Sequence, residues 1–390
     1  MTRAENELPE SELADIVAWR RHLHANPETG FNEHRTAAFV AERLAAFGLE
    51  VTTGVGGTGV VGTLRNGGGN RAIGLRADMD ALLIAENAPD RPHRSRTPGQ
   101  MHACGHDGHT AGLLGAARAL AAARDFDGTI HFIFQPAEEH GRGMQAMLDD
   151  GLLQRFPMDE AYGIHNAPGA PVGHFATRAG PIMAAEDNFE ITVTGRGVHA
   201  ARPHAGIDPI LAGSAVVMAL QQVVSRRIDP VDPAVVSVTE FITDGTRNVI
   251  PTKVCIRGDT RSYRPDISAM IEAEIRRIAE ATAAAHGATA SVTYTREFVP
   301  TLNTEGPTEA ALRAARAACP TAQDNCAQFM GSEDFARLLA HVPGNFSFIG
   351  NGTACAPLHN PAYDFNDAAL PVVVAYFRAL ARDRLPKDAA

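Results

Sequence analysis

The sequence predicts an α/β protein in which a larger domain, built on a mainly parallel sheet, is interrupted by a smaller ferredoxin-like domain. Three observations predict it. The chain has 390 residues, 45% of them hydrophobic, enough for a sizeable core and long for one domain. Through the first half, apolar runs edged by Gly alternate with helical patterns, the order of a parallel sheet with crossover helices. Near residue 185 the order becomes β-α-β-β-α-β, the split βαβ unit.

Each element follows from local signals. Residues 11–25 read as a helix that stops before Pro27, and 34–47 as a second. The apolar runs 59–64 and 72–77 read as strands. Residues 86–100, rich in Pro, Arg and Ser, read as a loop. A helix is expected over 108–123, a strand over 129–134, a helix over 142–150 and a strand over 161–165. Residues 187–194 alternate apolar and polar, as a half-exposed strand does. A helix over 207–226, strands near 234–242 and 254–261, a helix over 267–285 and a strand over 290–295 complete the inserted unit. Helices near 307–318 and 367–383 and a strand near 346–349 return the chain to α/β character. The expected domains are therefore 1–184 with 297–390, discontinuous, and 185–296, inserted.

Composition narrows the function. With 35 basic and 45 acidic residues the formal charge is −10, and no long basic run occurs, so nucleic acid and anionic membranes are poor partners. The start, Met1 to Leu13, is polar and acidic and lacks the apolar core of a signal peptide. No stretch approaches a membrane span. A cytoplasmic location is expected. Five cysteines, at 104, 255, 319, 326 and 355, form an odd set with no C-x-x-C pair, which argues against a disulfide framework or a zinc ribbon. Four of them read as small core residues.

Cys104 is the exception. It lies in Met101-His102-Ala103-Cys104-Gly105-His106-Asp107-Gly108-His109, four potential ligands just before a helix. Thiolate and imidazole two residues apart favour zinc or a similar transition metal. The alternative is a set of capping and core residues. Gln135-Pro136-Ala137-Glu138-Glu139 follows the strand 129–134 directly, and open α/β sheets bind ligands beyond the carboxyl ends of their strands. From an extended backbone the two carboxylates point different ways, so one can bind metal while the other serves as a base. Gly163-Ile164-His165-Asn166 ends another strand, and Pro357-Leu358-His359-Asn360-Pro361 places a His on a Pro-bounded loop. Alone, each of these His residues reads more often as structural; with the first two segments they supply a complete ligand set on separate loops. Gly54 to Gly59 fits G-x-G-x-x-G, but a strand rather than a helix follows it, so it does not read as a nucleotide site. No G-x-S-x-G occurs, which leaves a serine nucleophile elbow without support.

Together these motifs resemble the aminoacylase/carboxypeptidase family of two-metal peptidases. Within it they look like the amidohydrolase branch of hippurate, indole-acetyl-amino-acid and other N-acyl-amino-acid hydrolases. The resemblance runs nearly the whole chain. It includes Arg21-His22-Leu23-His24 with Pro27-Glu28, Leu75 to Leu82, the segments already quoted, Gly197 to Ala201 with Pro203-His204, Asn248 to Pro251, and Gly331 to Phe335. It implies that Cys104, His106, Glu139, His165 and His359 are metal ligands, with Cys104 shared. It implies Glu138 as general base and His199 as a residue reaching the active site of a partner subunit. Asn248 and Arg261 fall where the family contacts the substrate carboxylate. Two divalent cations are implied, Zn2+ or Mn2+, with Ni2+ or Co2+ tolerated. So are a small N-acyl amino acid as substrate and a homodimer or higher oligomer formed through the inserted domain. The segment 86–98 departs from the family by being more basic.

The expected reaction is amide hydrolysis to a carboxylate and a free amino acid. Glu138 would take a proton from the attacking water and deliver it to the departing amine. His199 would help stabilise the oxyanion, and Arg261 would grip the α-carboxylate as a bidentate fork. Asp80 is a candidate for orienting a ligand, with a structural Asp at a strand end as the equal alternative. A dipeptidase or aminopeptidase of the same family is the nearest rival; it needs an acidic residue near the acyl pocket, which the sequence does not place. A non-catalytic metal- or ligand-binding protein would lack Glu138. A nicotinamide-dependent oxidoreductase would have to rest on Gly54 to Gly59.

Overall fold

The computed structural model describes residues 8–387; the first half of the polar start, residues 1–7, lies outside them. In chain order come α1 (Glu10–Ala25), α2 (His34–Ala46), β1 (Glu50–Val55), β2 (Gly59–Asn66), β3 (Ala72–Asp78), α3 (His106–Ala123), β4 (Gly128–Gln135), α4 (Gly143–Asp149), β5 (Glu160–Pro168) and β6 (His174–Ala176). Then follow β7 (Ala185–Thr194), α5 (Pro209–Leu220), β8 (Ala234–Thr243), β9 (Lys253–Ser262), α6 (Pro265–Ala285) and β10 (Thr289–Phe298). The chain ends with α7 (Glu305–Ala318), β11 (Thr321–Gln323), β12 (Gly344–Gly352) and α8 (Leu370–Arg384).

Two compact units result. The first takes the described residues up to Ile182, Leu302–Ala327 and those from Asp334 on; the second takes Met183–Thr301 and Gln328–Glu333. The first unit holds an eight-stranded sheet in the order β1-β2-β4-β3-β5-β12-β6-β11. Its central strands β4, β3, β5 and β12 are mutually parallel. As expected for parallel strands covered on both faces, β3, β4 and β5 are almost wholly buried. Leu113 and Leu114 of α3, Ala310 and Ala311 of α7, and Val373 and Phe377 of α8 share one core with Leu75, Phe132 and Ile164 of the sheet. The strand β1, not anticipated from the sequence, is a mostly exposed edge paired antiparallel to β2. The Gly54–Gly59 run is the turn between the two, so these glycines serve a hairpin.

The second unit holds a four-stranded antiparallel sheet in the order β8-β9-β7-β10. With its two helices it has the ferredoxin-like order that the sequence predicts. Burial alternates along β7, and Phe189, Ile191 and Val193 meet Val216 and Leu220 of α5 and Ile271, Ile275 and Ile278 of α6. The helix expected over 207–226 is shorter. Asp208 accepts from the amides of Ile210 and Leu211 and Pro209 occupies the first turn, so capping fixes the start two residues later. Among the described residues no helix is long and apolar enough to cross a membrane.

Candidate metal centre

The site is built at the carboxyl ends of four neighbouring parallel strands. Asp80 follows β3, the Glu138–Glu139 turn follows β4, His165 and Asn166 lie in the last half of β5, and His359 lies on the loop after β12. Cys104 and His106 enter at the amino end of α3. The turn between them needs Gly105, which has φ +96° and whose added Cβ would stand 2.3 Å from Asn166 Nδ2 and 2.6 Å from the Tyr363 hydroxyl.

Second hydrogen bonds fix the candidate ligand atoms. His106 Nδ1 donates to the Asp80 carbonyl oxygen at 2.9 Å, with Asp80 Oδ1 at 3.2 Å. In the neutral ring its Nε2 therefore carries the lone pair; that atom is buried and has no hydrogen-bond partner. His165 Nδ1 donates to the Asn166 carbonyl oxygen at 2.8 Å, and its Nε2 faces Cys104 Sγ at 3.3 Å. Glu139 Oε1 is likewise buried without a hydrogen-bond partner; it stands 3.9 Å from His106 Nε2 and 3.4 Å from His359 Nε2. Asp80 Oδ2 accepts from the Glu139 amide at 3.1 Å, so this one carboxylate touches both the His106 ring and the Glu139 backbone.

The electrostatics say what the cluster lacks. Burial pushes the Cys104 thiol well above its ordinary range, and the carboxylates of Glu139, Glu138 and Asp78 push it further. Burial opposes charging His106, but Asp78, the Asp80 hydrogen bond and Glu139 prevail and raise it to about 10. His165 is held well below its usual value, first by burial and then by His109. The pocket is rich in negative charge and lone pairs, which protons satisfy only in part; divalent cations replace protons at such ligands. Two ligand groups can each gather within 4.8 Å, Cys104 with His106 and His165, and Cys104 with Glu139 and His359. The residues present fit a pair of cations sharing the thiolate.

The family model described as peptidase family M20/M25/M40 matches residues 74–383. The chain belongs to that family. Among curated M20 relatives, hippurate hydrolase of Campylobacter jejuni is 38% identical over 93% of this chain and 94% of its own. IAA-amino acid hydrolase ILR1-like 2 of Arabidopsis thaliana is 37% identical over 96% of this chain and 86% of its own. Among solved structures, the YXEP protein of Bacillus subtilis, described as a dinuclear metal binding peptidase from the M20 family, is 33% identical with a TM-score of 0.85, covering 96% of this chain and 98% of that one.

The M20 chain's two glutamates do not diverge as an extended segment would make them. Ala137 and Gly141 adopt left-handed φ values of 49° and 64° and enclose a single 3-10 turn, Glu138–His140. Both carboxylates therefore have an oxygen within 4.8 Å of a His106 ring nitrogen. Glu138 is buried, and its Oε1 is met by the Asp334 amide at 3.4 Å.

In the second unit His199 and Asn248 are neighbours at a short antiparallel pairing of Val198–His199 with Val249–Ile250, where the Ala200 amide donates to the Asn248 carbonyl at 3.0 Å. Both are exposed. His199 Nδ1 accepts from the Ala201 amide at 3.1 Å, so its proton sits on Nε2, pointing away from the backbone. Arg261 is differently placed. Its guanidinium already meets Glu186 at 2.7 Å, Asp259 at 2.6 Å and the Ser332 hydroxyl at 2.8 Å.

Sequence reasoning did not single out Asp78 or Asn166. Asp78 accepts from His109 Nδ1 at 2.6 Å and from Arg76 at 2.9 Å. Asn166 donates from its side chain to the Cys104 carbonyl and from its amide, at 3.0 Å, to His109 Nε2. Both nitrogens of His109 are thus engaged, and it braces the site rather than facing it. The signal was present: each residue adjoins a motif position at the end of an apolar strand.

Proposed function

We propose that this chain hydrolyses the amide bond of N-acyl amino acids, giving a carboxylate and a free amino acid. Cys104, His106, Glu139, His165 and His359 hold two divalent cations, and Glu138 acts as general base. One observation carries the reading: Cys104 Sγ belongs to two separate ligand groups at once. When bound, the cations supply Lewis acidity for the acyl carbonyl and for water. Glu138 accepts the proton of the attacking water and returns it to the leaving amine. His199 donates its Nε2 proton to the developing oxyanion. Asn248 and Arg261 receive the α-carboxylate, for which Arg261 must exchange Glu186 or Asp259. Asp80 orients His106 and the Glu139 turn. Thiolate with imidazole favours Zn2+, while Mn2+, Ni2+ and Co2+ remain within the ligand set's reach.

The first unit is the catalytic domain and the second a lid and dimerisation domain. Supporting this, β8 is a sheet edge carrying exposed Phe241 and Ile242, and α5 exposes Ile210, Leu211 and Met218. Such an apolar edge invites a second copy. The five cysteines, all free, support a reducing, cytoplasmic location. The test is a panel of acetyl, benzoyl and indole-acetyl amino acids beside free dipeptides, with Zn2+ or Mn2+ supplied. Cleavage of the acylated compounds upholds the reading; cleavage of free dipeptides alone overturns the substrate class.

A further inference from the structure

The proposed ligands stand on turns that cannot fix themselves. Ala137 is a non-glycine residue with positive φ, and Cys104 precedes a helix with no side-chain cap. Both turns are held by the same stretch, Arg20 to Glu33, which lies ahead of the residues matched by the family model. Glu33 is completely buried. Its Oε1 accepts from the Ala137 amide at 2.8 Å and its Oε2 from the Thr58 hydroxyl at 2.6 Å. Gly30 packs beside it so closely that an added Cβ would lie 3.0 Å from Ala137 Cβ. The Glu28 carbonyl accepts from the Ala81 amide at 2.8 Å, next to Asp80. On the other side, Asp107, in the first turn of α3, receives His24 Nδ1 at 2.9 Å and Arg20 Nε at 3.0 Å. All three side chains are fully buried, and His24 is backed by Glu86 at 3.4 Å.

We infer that Arg20 to Glu33 is a positioning element of the metal site. Glu33 sets the Glu138–Glu139 turn through the Ala137 amide, and His24 with Arg20 sets the Cys104–His106 turn through Asp107. None of the three touches a ligand atom. They act by removing rotational and backbone freedom from the groups that do. The inference rests on the ligand assignment above.

The experiment measures Co2+ affinity by chelator competition, the Co2+–thiolate absorption, and the melting temperature of the metal-free protein. The variants are Glu33→Ala, Glu33→Gln, His24→Ala and His24→Asn. Partners of this kind typically matter by 10–100-fold in metal affinity, and that loss, about 10–100-fold, is expected for Glu33→Ala and His24→Ala. Glu33→Gln keeps an acceptor for the Ala137 amide and His24→Asn keeps a donor for Asp107, so both should recover most of the affinity. His24→Ala should also alter the thiolate absorption, since its turn carries Cys104. If Glu33→Ala does not fold, Thr58→Val loosens Glu33 from its far side and should weaken binding in the same direction. Folded variants with wild-type affinity and absorption, changed only in melting temperature, would overturn the inference. Cys104→Ala and His106→Ala serve as controls: if they too keep the metal, the ligand assignment itself is wrong.

Discussion

In the first unit Cys104, His106 and His165 are buried, and the second nitrogen of each ring is tied to a backbone carbonyl. In the second unit His199 and Asn248 stand exposed at a ribbon of two short paired strands. The contrast matches the roles proposed for the two sets. Ligands for a cation pair must be held to within about 0.5 Å, which needs burial and second hydrogen bonds. A donor that meets the substrate only during the reaction can wait on the surface. Substitutions in the first unit should therefore change metal content, fold and rate together. Those at His199 and Asn248 in the second unit should change the rate alone.

The sharpest break in that comparison is Glu138→Gln. It lies in the first unit, yet its proposed role is proton transfer rather than ligation. We expect turnover to fall by about 10²–10⁴ with metal content unchanged, read by hydrolysis rate beside elemental analysis. Parallel loss of metal would make Glu138 a ligand and move the base elsewhere.

That distinction could be drawn from the sequence only in part. The alternation of strands and helices, the β-α-β-β-α-β insertion and the segments that carry the candidate residues were all legible, because apolar runs mark the parallel strands and the candidate residues sit at their ends. The turn at Ala137 was not. Its left-handed φ comes with a hydrogen bond to Glu33, over a hundred residues away, and nothing local in Pro136-Ala137-Glu138 announces it. For the same reason the sequence could not show that both glutamates converge on His106. The edge strand β1 was missed because an exposed strand carries little apolar pattern. The engagement of Arg261 by Glu186 and Asp259 depends on strand register, which periodicity does not give.

His199→Ala tests the second unit. An exposed residue bonded only through its own backbone turn should leave stability within about 0.5 kcal/mol, while the rate falls by about 10²–10³ as for a lost oxyanion donor. Mixing His199→Ala with Glu138→Ala subunits then separates two arrangements. If His199 serves the partner's site, the mixed dimer regains activity at one site. If it serves its own, every site stays dead.

Asp80→Asn probes the first unit more gently. The amide keeps one acceptor but loses charge beside both His106 and the Glu139 amide. Metal affinity should drop by about 10–100-fold, measurable by chelator competition, with activity recovered when metal is in excess. An unchanged affinity would reduce Asp80 to a structural end of its strand.

Arg261→Lys has the smallest expected effect and cuts closest to the comparison, because Arg261 is a candidate in the second unit whose charge is already held by two carboxylates. Lysine keeps the charge but loses the planar fork. If the fork receives the substrate carboxylate, KM should rise by up to about tenfold with kcat preserved. Substrates whose carboxylate is capped as an amide should then show no change. If its work is instead to tie Glu186 and Asp259 across β7 and β9, capped and free substrates will shift alike and the melting temperature will fall. The second unit would then contribute only the exposed His199 and Asn248 to the chemistry, and recognition of the carboxylate would pass to Asn248.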